Sequence, residues 1–160
     1  MQRNANGASF LGALGQSNLR PLRYHGEMPF VSITRLRLRS WRFLPMFAWR
    51  ALRSSRQARR AEGNLASKLL GDRRNTFWTS TLWSSEAAMK KFMTSGSHMK
   101  AMRNLAEWCD EAAVVHWTQE TAELPTWREA YLRLKNEGRR SKVNHPSAGH
   151  RTYEFPEPKA

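Results

Sequence analysis

The chain has 160 residues, enough for one domain of ordinary size, and 40% of them are hydrophobic. Its formal net charge is +14, a value compatible with nucleic acid, an anionic membrane or an acidic ligand. Arginines concentrate in residues 30–62, whereas 107–129 is mostly acidic, and the sequence has no zinc-finger spacing or aromatic-basic strand motif. A dedicated nucleic-acid surface is therefore not expected.

Cysteine usage and hydropathy constrain the location. The single cysteine, Cys109, excludes a disulfide within the chain and indicates a reducing compartment, the cytoplasm. The most apolar run, 43–52, is too short to span a bilayer and is interrupted by Pro45 and Arg50. Residues 1–27 are rich in Gly, Asn, Ser and Arg without an apolar signal region, which predicts a disordered leader.

The first predicted elements are a strand and a long helix. Residues 30–38 alternate with period two, which places Ser32 and Thr34 on one face and Arg35 on the other. A helix is expected over 41–62, ended by Gly63. Its first half is apolar almost all round. We therefore expect this part to meet a ligand, a second subunit or lipid as well as the sheet.

The rest of the chain continues this alternation. We expect a second strand at 64–70, a third at 76–83, a helix from Ser84 to about 94, a helix over 98–108 capped by Ser97, and a fourth strand at 112–118. Thr126 and Glu129 form a capping box that opens a last helix. Residues 138–160 are polar and basic and predict a disordered tail, which leaves 28–137 as the folded domain.

The order of these elements predicts a fold and an assembly. It is β-α-β-β-α-β plus a terminal helix, an α+β ferredoxin-like arrangement with the helices on one face of the sheet. The other face would then be bare. Because strands this apolar cannot face water, we expect a partner sheet to cover it and the chain to form a homodimer.

Six short segments resemble a known superfamily. They are 37–41 (RLRSW), 58–65 (ARRAEGNL), 76–83 (TFWTSTLW), 89–93 (MKKFM), 95–98 (SGSH) and 108–112 (WCDEA). They resemble the dimeric α/β-barrel superfamily that contains the antibiotic-biosynthesis monooxygenases, and more narrowly a group related to spheroidene monooxygenase. The resemblance covers about residues 29–120. It implies a monooxygenase-like protein for a hydrophobic substrate, isoprenoid or aromatic, either cofactor-free or haem-assisted. The alternative is a non-catalytic dimeric protein that binds a lipophilic or haem-like ligand, and a peripheral membrane role is compatible with both.

The candidate catalytic residues are His98 and Trp83. At the start of a helix, the positive end of the dipole disfavours the imidazolium, so His98 should stay neutral and could serve as a base or a haem ligand. The alternative is a helix-start histidine bonded to a neighbour. Trp83 is expected to form the pocket wall, and His116 is a second-rank candidate. The expected ligand-binding residues are Ser32, Thr34, Thr81, Arg35, Phe47 and Phe92.

Haem and metals are the cofactors to consider. Arg35, Arg37 or Arg39 could hold an anionic group such as a haem propionate. Haem-degrading members of the superfamily use an asparagine on the first strand, where this chain has Ser32 and Thr34, so haem degradation is not expected. No metal-ligand spacing is present, and no metal site is expected. Cys109 lies beside two acids that would raise its thiol pKa, which makes it a poor nucleophile.

Overall fold

The computed structural model describes residues 28–159, apart from the side chain of Ser97. The predicted leader, 1–27, lies outside these residues. The described elements are β1 (Phe30–Leu38), α1 (Leu44–Arg60), β2 (Asn64–Asp72), β3 (Thr76–Trp83), α2 (Glu86–Met93), α3 (Gly96–Trp108), β4 (Cys109–Thr118), α4 (Trp127–Glu137), β5 (Arg139–Arg140) and α5 (Ala148–Thr152). A single 3-10 turn precedes α1. No helix in this part of the chain is both long and apolar enough to cross a bilayer.

The five strands form one antiparallel sheet in the order β2-β3-β1-β4-β5, and the predicted ferredoxin-like α+β fold is confirmed. β1 lies in the centre. Its Ser32 is paired with Thr81 of β3 on one side and with His116 of β4 on the other. Residues paired across an antiparallel ladder share a face of the sheet. The register therefore places these three side chains in one row.

α1, α2 and α3 pack on the face of the sheet that carries this row. Phe30 and Trp83 pack against Phe92 of α2, and Leu38 packs against Phe47 of α1 and Leu105 of α3. These contacts fix the three helices over β1 and β3. The space that remains between the helices and the sheet is the cavity described below.

Two local features set the paths into α1 and β2. The Ser40 hydroxyl accepts a hydrogen bond from the Arg42 backbone N–H and so caps the turn before α1. After α1, Gly63 has φ of +80°, and a Cβ there would lie 2.6 Å from Cβ of Ala88. Only glycine satisfies both the backbone angle and the close approach of α2. The sequence prediction of a glycine after this helix has that physical basis.

The opposite face of the sheet differs from the expectation that it would be bare. Val31, Ile33 and Trp78 are fully buried there against Ala130 and Leu134 of α4. Tyr153 and Phe155, from the end of the chain, pack on the same cluster. The chain thus covers its own second face, and helices lie on both faces rather than one. The homodimer stays a prediction, but its original reason, an uncovered apolar face, does not hold.

The segment 138–159 is ordered, in contrast to the predicted disordered tail. β5 pairs with β4, joining Arg139 to Val114. The Ser147 hydroxyl caps α5 by accepting from the His150 backbone N–H, at 3.1 Å. The Tyr153 hydroxyl donates to the Leu134 carbonyl at 2.7 Å. Composition failed here because the contacts that order this segment are made with residues far away in the chain.

Candidate functional site

A cavity of about 420 Å³ lies between the sheet and helices α1, α2 and α3. This volume is in the range of small-molecule sites. Its walls are mainly apolar and include Phe47, Trp83, Met89, Phe92, Met93 and Leu105. The side of α1 that faces the cavity carries small residues, among them Ala51, Ser54 and Ala58, so the helix does not fill the space. Of the predicted ligand-binding residues, all but Arg35 line this cavity.

His98 lies at the third position of α3 and lines the cavity. Its Nδ1 is 3.0 Å from Oγ of Ser54, and its backbone N–H donates to Oε1 of Gln57 at 3.1 Å. The ring centroid is 4.5 Å from that of Phe92. Burial lowers the pKa of His98 to about 4. The imidazole is therefore neutral near pH 7 because burial disfavours its charged form.

Trp83 forms a rigid wall of the cavity. The residue is fully buried, and its ring lies 5.1 Å from that of Phe92 in a stacked arrangement. Its indole Nε1–H donates to Oγ1 of Thr81 at 2.9 Å, and the Thr81 hydroxyl donates to the carbonyl of Ser32 at 3.3 Å. Both buried polar groups are thereby satisfied. A ligand would meet Trp83 through its ring surface, since the N–H is already used.

A second imidazole, His116, lines the same cavity from β4. Its ring centroid is 5.7 Å from that of Phe30. Burial lowers the pKa of His116, and the positive charge of Arg139 lowers it further. The cavity thus holds two imidazoles whose charged forms are disfavoured. The sequence ranked His116 second, and its register with Ser32 places it on the face of the sheet that carries the cavity.

Arg35, which the sequence suggested as a ligand-binding residue, lies on the other face of the sheet. Its Nη1 is 2.6 Å from Oε2 of Glu111, and its guanidinium carbon lies 4.4 Å from the ring centroid of Phe155. Residues of odd number in β1 share the face of Ile33. Strand parity therefore separates Arg35 from Ser32 and Thr34. Arg35 is part of an ion pair, and it does not line the cavity.

The other two arginines suggested for an anionic group are paired as well. Nε and Nη2 of Arg37 each donate to the Asp110 carboxylate at 2.8 Å, and Nη2 of Arg39 lies 2.6 Å from Oε1 of Glu107. The cations that line the cavity come instead from α1 and β5: Arg50, Arg139 and Arg140. Nε of Arg50 is buried and has no hydrogen-bond partner among residues 28–159.

Sequence reasoning missed the α1 side chains that complete the site. Ser54, Gln57 and Arg50 are 44, 41 and 48 positions before His98, so no local motif joins them to it. The spacing of residues along α1 was the sequence signal that could have identified this face of the helix. Phe47, Ala51, Ser54 and Ala58 recur every three or four residues and mark the face of α1 turned toward the sheet.

Cys109, the single cysteine, is expected to be inert in the native protein. Its side chain is fully buried, and burial raises the pKa of the thiol to about 12, with the Asp110 carboxylate adding to the effect. The thiolate is the reactive form. Iodoacetamide at pH 8 should leave the folded protein unmodified on a mass spectrum and alkylate it fully in urea. Rapid alkylation without denaturant would contradict the burial of this thiol.

Solved structures with the same fold share little sequence with the chain. PA3566 from Pseudomonas aeruginosa has a TM-score of 0.53 at 16% identity, over 60% of this chain and 98% of that one. A mutant of SnoaB, a cofactor-independent oxygenase from Streptomyces nogalater, has a TM-score of 0.50 at 14% identity, over 58% and 94%. An antibiotic biosynthesis monooxygenase has 0.51 at 13%, over 56% and 97%. These likenesses confirm the predicted fold. The narrower likeness to spheroidene monooxygenase stays a prediction.

Sequence comparisons identify a family for the chain but no curated relative. None of the curated proteins compared with the chain matches it significantly. The model of a domain family of unknown function, DUF3291, matches residues 42–144, which is more than half of the chain. This range begins just after β1 and includes the three helices that enclose the cavity. The chain therefore belongs to the DUF3291 family.

Proposed function

We propose that the protein is a monooxygenase-like enzyme that oxidises a hydrophobic aromatic substrate in the cavity beneath α1. The observation that carries this proposal is the neutral imidazole of His98 inside an apolar enclosure, with Ser54 on its Nδ1. The oxygenase named among the structures of similar fold acts without a cofactor. That precedent belongs to SnoaB and only motivates the cofactor-free form of the proposal.

His98 would act as the proton acceptor. When Nδ1 carries the hydrogen and donates it to Oγ of Ser54, Nε2 keeps its lone pair. A buried imidazole of low pKa is a weak base, so the substrate must be acidic. The anion left by proton transfer lies in a medium of low dielectric and stabilises the imidazolium beside it. The base strength of His98 would thus rise as the substrate anion forms beside it.

The reaction is balanced without an added reductant. A methylene carbon activated by neighbouring aromatic rings loses a proton to His98, and the resulting carbanion transfers electrons to O₂ and forms a carbon–oxygen bond. His98 returns its proton to the peroxide anion, and loss of water from the hydroperoxide leaves a carbonyl, so R₂CH₂ and O₂ give R₂C=O and H₂O. The substrate carbon supplies all the electrons. Trp83 and Phe92 would hold the flat rings by stacking.

Haem does not fit the residues that were suggested to hold it. Arg35, Arg37 and Arg39 are each paired with an acidic side chain and cannot serve as free partners for propionates. Neutral His98 could ligate iron, but the three arginines suggested as propionate partners are already held in ion pairs. We therefore derive no step through haem and retain the cofactor-free form.

The test is oxygen consumption with anthrone, whose methylene carbon lies between two aromatic rings and opposite a carbonyl group. The wild-type protein should consume O₂ and incorporate isotopically labelled oxygen into the ketone product. Replacing His98 with asparagine keeps a polar group near Ser54 but removes the base. We expect kcat to fall about 100-fold, the lower end of the range for general base catalysis, because the base is weak.

His116→Asn is the matched control, since it removes the other imidazole of the cavity. Its kcat should fall less than about tenfold, below the usual contribution of a general base. Equal losses in both variants, with unchanged thermal stability, would contradict the role of His98. Saturable quenching of Trp fluorescence by anthrone without any oxygen uptake would identify a non-catalytic binding protein and overturn the enzyme proposal.

A further inference from the structure

The outer face of α1, formed by Met46, Trp49, Leu52, Arg53 and Arg56, has no covering in the described part of the chain. Its three large apolar residues are about half exposed, with Trp49 at 55%. Trp41, in the turn before the helix, is 73% exposed. Large apolar side chains grouped on one exposed helix face usually mark an interaction surface. A purely solvated face would carry polar residues at these positions.

The same face becomes strongly basic in its second half. α1 contains no acidic residue from Leu44 to Arg60. An open groove of about 700 Å³ runs between α1 and α2 and is lined by Trp49, Arg53, Arg56, Arg60 and Lys91. Glu62, the acidic residue that lines it, lies 3.2 Å from Nζ of Lys91. The groove therefore presents an excess of positive charge beside the exposed apolar residues.

We propose that the outer face of α1 docks the protein onto an anionic phospholipid surface. Exposed Trp, Met and Leu combined with Arg on one helix is the pattern of helices that lie in the membrane interface. Trp49 and Leu52 enter the boundary between headgroups and acyl chains, while Arg53 and Arg56 bind phosphates. A nucleic-acid surface would not place Met46 and Leu52 among its arginines.

The position of the cavity agrees with this docking. The opposite side of α1, with Phe47, Arg50 and Ser54, lines the cavity that holds His98. Docking through the outer face would bring that cavity within one helix diameter of the lipid, about 10 Å. A hydrophobic ligand could then pass from the bilayer rather than from water. The docking itself does not depend on the proposed enzymatic function, and a binding experiment tests it without substrate.

The test is co-flotation of the full chain with vesicles. Vesicles of phosphatidylcholine and phosphatidylglycerol should carry the protein upward, and vesicles of phosphatidylcholine alone should not. Arg53→Gln combined with Arg56→Gln should weaken partition about 30-fold, since each basic residue at an anionic surface contributes roughly fivefold. Trp49→Gln combined with Leu52→Gln should also lower it at least about fivefold, because apolar insertion is lost.

The matched control removes the same charge elsewhere. Arg128 and Lys135 lie exposed on α4, against the opposite face of the sheet, and their double Gln variant should lose less than about threefold, because charges beyond a Debye length are screened. All variants retain residues 1–27, so that segment does not affect the comparison. Equal losses in the two charge variants, unchanged partition of the Trp49 and Leu52 variant, or tighter binding of duplex DNA through Arg53 and Arg56 would each overturn the proposal.

Discussion

Replacing Glu111 with leucine should lower the free energy of unfolding by about 3–5 kcal/mol, the cost of leaving a buried charge without its partner. The charge is that of Arg35, which is 1% exposed in the middle of β1. Burial lowers the pKa of the Arg35 guanidinium and the Glu111 carboxylate opposes that shift, but a guanidinium stays protonated in proteins even without such a partner. The variant would thus keep a cation in an apolar layer.

Glu111 has two further partners that add to the expected loss. Its Oε1 lies 2.9 Å from Nη1 of Arg37 and accepts a hydrogen bond from the Ser147 hydroxyl at 2.9 Å. Ser147 caps α5, so the carboxylate ties the C-terminal segment to the sheet. Loss of this carboxylate should therefore loosen the cover over Trp78 and Ile33 as well as unpair Arg35.

Urea denaturation followed by circular dichroism measures the effect, and two further variants interpret it. Arg35→Met combined with Glu111→Leu should recover most of the loss, because both charges are replaced by apolar groups. Glu137→Leu removes a partly exposed partner of Arg133 in α4 and should change stability by less than about 1 kcal/mol. A loss below about 1 kcal/mol in Glu111→Leu, or a double variant as unstable as the single one, would contradict this account.

Patterns within short segments predicted much of the fold. β1 and β3 have the bounds expected from alternation, Phe30–Leu38 and Thr76–Trp83, because the period of a strand depends on neighbouring residues only. The same parity placed Ser32 and Thr34 on one face, where the cavity lies. It also separated Arg35 from them. The assignment of Arg35 to the ligand site was an error that strand parity alone could have prevented.

Contacts between distant residues were beyond the reach of these patterns. Arg35 and Glu111 are 76 positions apart, and Ser54 and His98 are 44 apart. The segment after Gly138 has a composition typical of disorder, but Tyr153 and Phe155 find apolar partners across the sheet. That pairing adds to the cover that α4 gives to the second face, and in both cases the contacts join residues that are far apart in the chain.

Lowering the pH from 7 to 4 should remove about 3 kcal/mol more stability from the wild-type protein than from His98→Asn. The pKa of His98 is about 4 in the folded chain, against 6.5 for an unperturbed histidine. Between these values the unfolded chain binds a proton and the folded chain does not. Stability contributed by neutral His98 is therefore complete above pH 6.5 and is lost as the pH falls toward 4. Urea denaturation at several pH values measures how the free energy of unfolding depends on pH in the wild type and in His98→Asn.

The asparagine variant isolates this contribution, because every other titrating group is shared. Its stability at pH 7 is itself expected to be lower, since the new side chain replaces the imidazole that packs on Phe92, but only the difference in pH dependence matters. His116→Asn is a second comparison. Burial and Arg139 also lower the pKa of His116, so this variant should also lose less stability than the wild type as the pH falls. Parallel curves for the wild type and His98→Asn would mean that folded His98 takes up a proton as readily as the unfolded chain. The low pKa of His98, and with it the desolvated imidazole on which the proposal rests, would then be ruled out.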